Sequence, residues 1–169
     1  MNRYRYFIFL LLAMALTSCQ ATKFEHIHTS HSIGSAKKII APTYWNDTGI
    51  TLQKGHRYQL HVSGTWTDWT YEANAKGPVS PLVNALMFPL RPLLRYSPFR
   101  DCHANYFQPI GTIGRGEGKK LPVHSFIIEN GMHYTAPATG ILHVFANDAP
   151  WEWTYGNNSG QLDLTVTSL

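Results

Sequence analysis

Oxygen-bearing side chains are concentrated near the C-terminal end of this 169-residue chain. The carboxylate of Asp148 is followed closely by two adjacent amides, Asn157 and Asn158. Gly156 and Gly160 flank these amides and predict a turn, because glycine and asparagine tolerate left-handed backbone angles. A turn can direct two consecutive side chains to one side, whereas a regular strand directs them to opposite faces. Calcium prefers such oxygen ligands, so the segment indicates a calcium site; the alternative is a polar hairpin loop without a metal.

The same segment resembles the calcium- and sugar-binding loop of the PA-IL-type galactose-binding bacterial lectins. The resemblance covers residues 38–168, and it is specific only in the last part. The matching stretches are Asn147-Asp148-Ala149-Pro150, Thr154-Tyr155-Gly156-Asn157-Asn158-Ser159-Gly160, Gly55 to Trp66, Ile110 to Gly114, and Ala138 to Leu142. It implies a β-sandwich that binds calcium and a galactose-like carbohydrate, and therefore a binding protein and not an enzyme.

The resemblance also assigns roles to residues of the loop. Asp148 would give calcium a carboxylate, Thr154 its backbone carbonyl, and Asn157 and Asn158 their side-chain oxygens. The sugar would then lie against Asp148, Thr154 and Asn157, with two vicinal hydroxyls on open coordination positions of the ion.

One further calcium ligand in the lectins is a carbonyl in the loop after a Gly-Trp strand end. In this chain Thr65 separates Gly64 from Trp66, so the register is ambiguous. Counting from Trp66 gives Trp69 as the matching residue, and counting from Gly64 gives Asp68.

The chain departs from the lectin pattern at two places. Trp151-Glu152-Trp153 stands where the family has a single residue, and the two indole rings could stack on a sugar face or cover the site. Glu152 could add a ligand or face water. The family's sugar-contacting His and Gln fall near Leu94 and Ser97, which cannot make the same contacts, so a different selectivity is expected.

The N-terminus has the pattern of a secretory signal. Arg3 and Arg5 precede the apolar run 7–15, which is too short to span a bilayer as a helix. The run leads into Leu16-Thr17-Ser18-Cys19, which resembles a bacterial lipobox and implies cleavage before Cys19 and acylation of its thiol. The alternative is an ordinary signal peptide followed by an unrelated cysteine.

Cleavage before Cys19 would divide the chain into a signal peptide at 1–18, a polar tether at 19–36 and one domain at 37–169. Gln20 follows the cysteine, which in lipoproteins of this type is compatible with delivery to the outer membrane. Several acyl chains together anchor a protein stably in a membrane.

The charge and the remaining reactive side chains exclude some functions. The chain has 14 basic and 10 acidic residues; removing Arg3 and Arg5 with the signal leaves 12 − 10 = +2, too little to indicate nucleic-acid binding. Cys102 could be a nucleophile next to His103, but sequence neighbours point apart on a strand, which disfavours such a pair. A buried thiol is the simpler interpretation of Cys102.

Period-two alternation predicts an all-β fold. Apolar and polar residues alternate along 58–64 and 162–166, as in strands with one buried face. Further strands are predicted at 39–41, 50–52, 106–113, 123–128 and 141–146, and turns at 46–49, 129–131 and 138–140. Many short strands separated by turns indicate a single β-sandwich or jelly roll.

The segment 78–100 combines five prolines with apolar residues and Arg91, Arg95 and Arg100. The prolines exclude a long helix or a central strand. The segment could contact a membrane or a protein partner, or it could be a long loop packed over the sandwich. Contact with a protein partner would support an alternative function. The protein would then be a structural or assembly lipoprotein of the envelope that uses the lectin-like fold without binding sugar.

Overall fold

The computed structural model describes residues 36–83, 100–101, 103–116 and 122–169. The signal sequence, Cys19, nearly all of the tether, Cys102, Leu94, Ser97 and most of the segment 78–100 lie outside the described residues. The described part contains no helix that is long and apolar enough to cross a membrane.

The described chain contains ten strands, and a short 3-10 helix lies near its C-terminal end. The strands are β1 (Lys37–Ile40), β2 (Asn46–Leu52), β3 (Arg57–Asp68), β4 (Tyr71–Asn74), β5 (Gly77–Pro78), β6 (Pro109–Ile113), β7 (Ser125–Ile127), β8 (Met132–Thr135), β9 (Gly140–Ala146) and β10 (Asn158–Ser168). A 3-10 helix, Glu152–Asn157, lies between β9 and β10.

The strands form two antiparallel sheets packed face to face. One has the order β1-β10-β3-β4-β5, with β8 also paired to β3, and the other has the order β2-β9-β6-β7. The core between them is almost entirely aliphatic and aromatic, and Trp66, Tyr58 and Tyr155 are its largest fully buried side chains. The chain is therefore an all-β sandwich, which confirms the predicted fold class.

The alternation of β3 continues further than its apolar residues suggest. Tyr58, Leu60 and Val62 are buried, and so are Trp66 and Asp68 on the same face. Gly64, with φ +99°, lies close to β10, where a Cβ atom would approach the carbonyl oxygen of Gln161 at 3.1 Å. Because the alternation continues to the end of β3, the carboxylate of its last residue, Asp68, lies on the buried face.

The predicted turn at 46–49 is wrong. These residues belong to β2, and the register against β9 shifts between Asp47 and Thr51. Gly49 has φ +65°, its N–H donates to Asp47 at 2.8 Å, and the Thr48 hydroxyl donates to the Leu142 carbonyl at 2.7 Å. Turn-forming residues here make a β-bulge, because a bulge needs the same left-handed backbone as a turn.

The segment 78–100 begins in the edge strand of the first sheet. Pro78 pairs with Ala73 in the edge strand β5, a position that proline tolerates. Val79 and Leu82 follow with exposed side chains. Whether they meet a membrane or a partner stays a prediction.

Candidate functional site

Two buried carboxylates meet at one end of the sandwich. Asp68 is the last residue of β3, and Asp148 lies just after β9. Burial, and then the charge of Asp148, raise the pKa of Asp68 to about 6, against the opposing hydrogen bond from Asn157. Burial also raises the pKa of Asp148, while hydrogen bonds from Ala149 and Asn158 oppose the shift. Two desolvated like charges repel each other, so the pair is suited to a divalent cation.

Each carboxylate is hydrogen-bonded to one of the two adjacent amides. Asn157 Nδ2 donates to Asp68 Oδ1 at 2.5 Å, and Asn158 Nδ2 donates to Asp148 Oδ2 at 3.1 Å. The Oδ1 atom of Asn158 is buried and has no hydrogen-bond partner among the described residues. An orphaned buried oxygen is costly unless a cation or a donor satisfies it, so these four residues fit a calcium ion.

The adjacent amides do not lie in the simple turn that their sequence predicts. Asn157 ends the 3-10 helix and Asn158 begins β10. Asn158 is paired with Asp68 across the ladder, and the Asn157 carbonyl accepts a hydrogen bond from the Trp69 N–H at 3.2 Å. The change from helix to strand turns consecutive side chains toward the two carboxylates, which a continuous strand would not do.

The ambiguous register next to Trp66 leaves two candidates for the extra calcium ligand, Trp69 and Asp68. Both lie at the site, but they contribute to it differently. Asp68 brings a buried carboxylate, whereas the Trp69 side chain is 77% exposed and only its backbone joins the loop. Trp69 has φ 51°, a left-handed angle that is costly for a bulky residue. Such strain often occurs at functional sites.

Thr154 closes the loop internally. Its hydroxyl donates to the Trp151 carbonyl at 2.6 Å and to the Ala149 carbonyl at 3.2 Å. Its backbone N–H also donates to Trp151 at 3.0 Å. The side chain of Thr154 therefore holds the loop in shape, and a calcium contact through its carbonyl stays a prediction.

The inserted tryptophans are presented to solvent. The rings of Trp151 and Trp153 stack with centroids 6.2 Å apart and planes inclined by 24°. Trp153 is 78% exposed, so it is not packed down over the loop. Glu152 turns toward a cavity that it shares with Tyr44 and Arg115.

The burial of Arg100 was not predicted from the sequence. Arg100 is only 3% exposed, and its guanidinium carbon lies 3.5, 3.9 and 4.0 Å from the ring centroids of Phe145, Trp45 and Tyr44. Its Nη1 donates to Tyr155 Oη at 3.2 Å. The suggestion that Arg100 faces a membrane or partner with Arg91 and Arg95 is therefore wrong for Arg100, because cation–π contacts hold it inside the domain.

The same residue braces the carboxylate loop. The Arg100 backbone N–H donates to the Asp148 carbonyl at 3.2 Å, and the Tyr155 hydroxyl that accepts from Arg100 donates in turn to Ala146. Burial lowers the pKa of Arg100 from its ordinary value, and Tyr155, followed by Tyr44 and Asp148, opposes this shift. No sequence motif marks these contacts, because they join distant segments.

Asn147 is a second residue whose role appears only in the structure. It is fully buried, its Oδ1 accepts from the Asp101 N–H at 2.9 Å, and its Nδ2 donates to the Asp101 and Asn105 carbonyls at 2.9 and 3.0 Å. It ties Asp101 and Asn105 to the loop through these hydrogen bonds.

The side chains of the candidate calcium site offer oxygen atoms as ligands. Among the described residues there is no group of three or more His, Cys, Asp or Glu side chains that could hold a metal. A site with two carboxylates and two amides suits a hard cation such as calcium, and it lacks the nitrogen and sulfur ligands that zinc and copper prefer.

The raised pKa of Asp68 predicts how stability depends on pH without calcium. The folded-state pKa of about 6 lies above the ordinary value of 3.8. Its contribution to stability is therefore fully present below about pH 4 and is lost as the pH rises through about 6. Thermal melting in calcium-free buffer should show the melting temperature falling over this window. Asp68→Asn should flatten the fall, and an unchanged slope in the variant would contradict the assignment.

Comparison with known proteins identifies a similar fold but does not assign the chain to a family. No protein-family model matches the chain, and no curated protein matches it. A solved structure, the N-terminal domain of EclA, described as a PllA-like lectin, is similar with a TM-score of 0.54 and 16% sequence identity. The match covers 79% of this chain and 95% of that chain. The chain thus has a lectin-like β-sandwich fold.

Proposed function

We propose that this protein is a calcium-dependent carbohydrate-binding lipoprotein of the bacterial envelope, anchored in the outer membrane through Cys19. The observation that carries the proposal is the buried pair Asp68 and Asp148, with the buried Oδ1 of Asn158, which no described residue pairs with, beside it. The lectin-like fold supports it, since the structure that it resembles is named as a lectin. Binding, not catalysis, is the proposed activity.

The calcium ligands would be Asp68, Asp148, Asn157 and Asn158, with a carbonyl from Thr154. The bound ion supplies positive charge that attracts sugar hydroxyls. The chain supplies the rest of the site: the carboxylates accept hydrogen bonds from hydroxyls, and the amide nitrogens donate them. Without a cation the two carboxylates repel each other, so calcium binding and the ordering of the loop are coupled.

The exposed tryptophans would contact the apolar face of the sugar. Trp151 and Trp153 stack on each other at the start of the 3-10 helix that ends in Asn157. A ring that is already oriented loses little entropy when a pyranose packs against it. The proposed ligand is galactose-like, with a selectivity that differs from the PA-IL lectins because Leu94 and Ser97 replace their His and Gln.

A glycan array, read in calcium and in chelator, tests this proposal. We expect wild-type protein to bind a galactose-like glycan only in calcium. Asn157→Ala should lose both calcium and sugar, whereas Trp153→Ala should weaken sugar binding by roughly tenfold and leave calcium binding intact. Val123→Ala, which truncates another exposed apolar side chain, is the control. If no glycan binds at saturating calcium, the structural or assembly role becomes the better account.

The anchor is tested separately. Cys19→Ser should leave the protein unprocessed or release it from the membrane fraction, because the thiol is the only proposed acylation point. Sedimentation and mass spectrometry of the wild-type N-terminus measure this directly. A mature wild-type chain with an unmodified N-terminus would rule the anchor out, without affecting the carbohydrate proposal.

A further inference from the structure

A second concave site is lined in part by Glu152, the residue between the two inserted tryptophans. It is a cavity of about 360 Å³ lined by Thr43, Tyr44, Trp45, Arg115 and Glu152. Three connections contribute to it: the one before β2, the one after β6, and the 3-10 helix. None of its lining residues belongs to the carboxylate and amide cluster, so it is a separate site.

The cavity carries one charge of each sign, and the two charges do not neutralise each other. No nitrogen of Arg115 lies within 4 Å of a Glu152 oxygen, and neither side chain forms an ion pair or a hydrogen bond with another described residue. Opposite charges in one small cavity normally pair when their side chains can reach each other. Here both remain available, Glu152 for a cation and Arg115 for an anion.

The aromatic side of the cavity is rigid. The Tyr44 hydroxyl donates to the Pro150 carbonyl at 3.0 Å, and the Trp45 ring packs edge-on against Phe145 with centroids 5.1 Å apart. Arg100 lies over both the Tyr44 and the Trp45 rings from inside the domain. A wall that is fixed before binding costs little to order when a ligand arrives.

We propose that this cavity binds a small zwitterion, with its ammonium group on Glu152, its phosphate or carboxylate on Arg115 and its carbon chain on Trp45. Arg forms bidentate hydrogen bonds with such anions, and a carboxylate forms charge-assisted hydrogen bonds with an ammonium group. The volume lies at the lower end of the ~300–1,000 Å³ that small-molecule sites occupy, which suits a molecule as small as phosphoethanolamine.

Titration with O-phosphoethanolamine, followed by the indole N–H signals in a ¹H–¹⁵N spectrum, tests the proposal. We expect a saturable shift of the Trp45 signal that persists in calcium chelator, which separates this site from the proposed lectin site. Glu152→Gln and Arg115→Gln should each weaken binding at least about tenfold, since each removes one charge-assisted contact. Glu72→Gln and Arg57→Gln, exposed positions on β4 and β3, are the matched controls.

Fragments of the zwitterion that carry only one of its two charges give the decisive comparison. Ethanolamine offers the ammonium alone and inorganic phosphate the anion alone, so each should bind far more weakly than the intact zwitterion. Equal binding of either half, or shifts that persist in both Gln variants, would overturn the proposal, as would no shift at all. Because both substitutions are at exposed positions, an unchanged spectrum elsewhere verifies that the variants are folded.

The same chemistry occurs in a free solute and in a lipid headgroup, and a second arm distinguishes the two. Sedimentation with phosphatidylethanolamine vesicles, compared with phosphatidylglycerol vesicles, tests for the headgroup. Retention on the former that Glu152→Gln abolishes assigns the headgroup. Binding of the soluble zwitterion without such retention assigns a free solute.

Discussion

Asp148→Asn should change thermal stability in opposite directions with and without calcium. In chelator the melting temperature should rise above wild type, because the substitution removes one of two buried charges that repel each other. Asparagine keeps one oxygen, which can still accept from the Ala149 N–H. Its amide nitrogen replaces the oxygen that accepts from Asn158 Nδ2, so that hydrogen bond is lost and the expected rise comes from the removed repulsion alone.

In calcium the order should reverse. Wild type gains about 2.7 kcal/mol when free calcium is a hundredfold above its dissociation constant, which raises the melting temperature by roughly 10 °C in a domain of this size. Asp148→Asn should gain almost nothing, because it has lost a charged ligand. Asp163→Asn, on the exposed face of β10, is the matched control and should behave as wild type in both buffers. Equal calcium shifts in all three proteins would contradict the site.

Arg100→Ala should be the most destabilising single change at this end of the domain. It empties a volume enclosed by Phe145, Trp45 and Tyr44 and leaves the Tyr155 hydroxyl without its donor. Breaking such a buried cluster costs about 3–5 kcal/mol of unfolding free energy. Urea denaturation measures the loss.

Arg100→Met separates packing from charge. Methionine fills the space between the rings and removes two guanidinium nitrogens, Nε and Nη2, that are buried and have no hydrogen-bond partner in the described part of the chain. Most of the stability lost in Arg100→Ala should therefore return. Arg57→Ala, at the exposed start of β3, should change stability by less than about 0.5 kcal/mol. A loss in Arg100→Ala no larger than that of Arg57→Ala would show that the aromatic contacts contribute little.

The sequence predicts the fold well because local patterns determine it. Period-two alternation identified the strands around Leu60 and Leu164, and burial on one face of each implies two packed sheets. The misplaced turn at 46–49 has a physical cause: Asn, Asp and Gly serve a bulge as readily as a turn. Distinguishing the two requires the partner strand β9, which a local pattern does not show.

The candidate site was only partly predictable. Extending the buried phase of Tyr58 and Val62 along β3 would have turned Asp68 inward and Trp69 outward, so the signal for Asp68 was present in the alternation. Arg100 carried no such signal. Its environment is built from rings far away in the chain, and a lone arginine in a proline-rich segment normally indicates a surface.

A crystal structure of the protein determined with calcium tests the central claim most directly. We predict one ion with oxygens of both Asp68 and Asp148 at about 2.3–2.6 Å, and with Asn158 Oδ1 turned to the ion. Anomalous scattering would identify the metal. An ion bound elsewhere, or a loop that stays metal-free at saturating calcium with Asn158 Oδ1 still unpaired, would contradict the account.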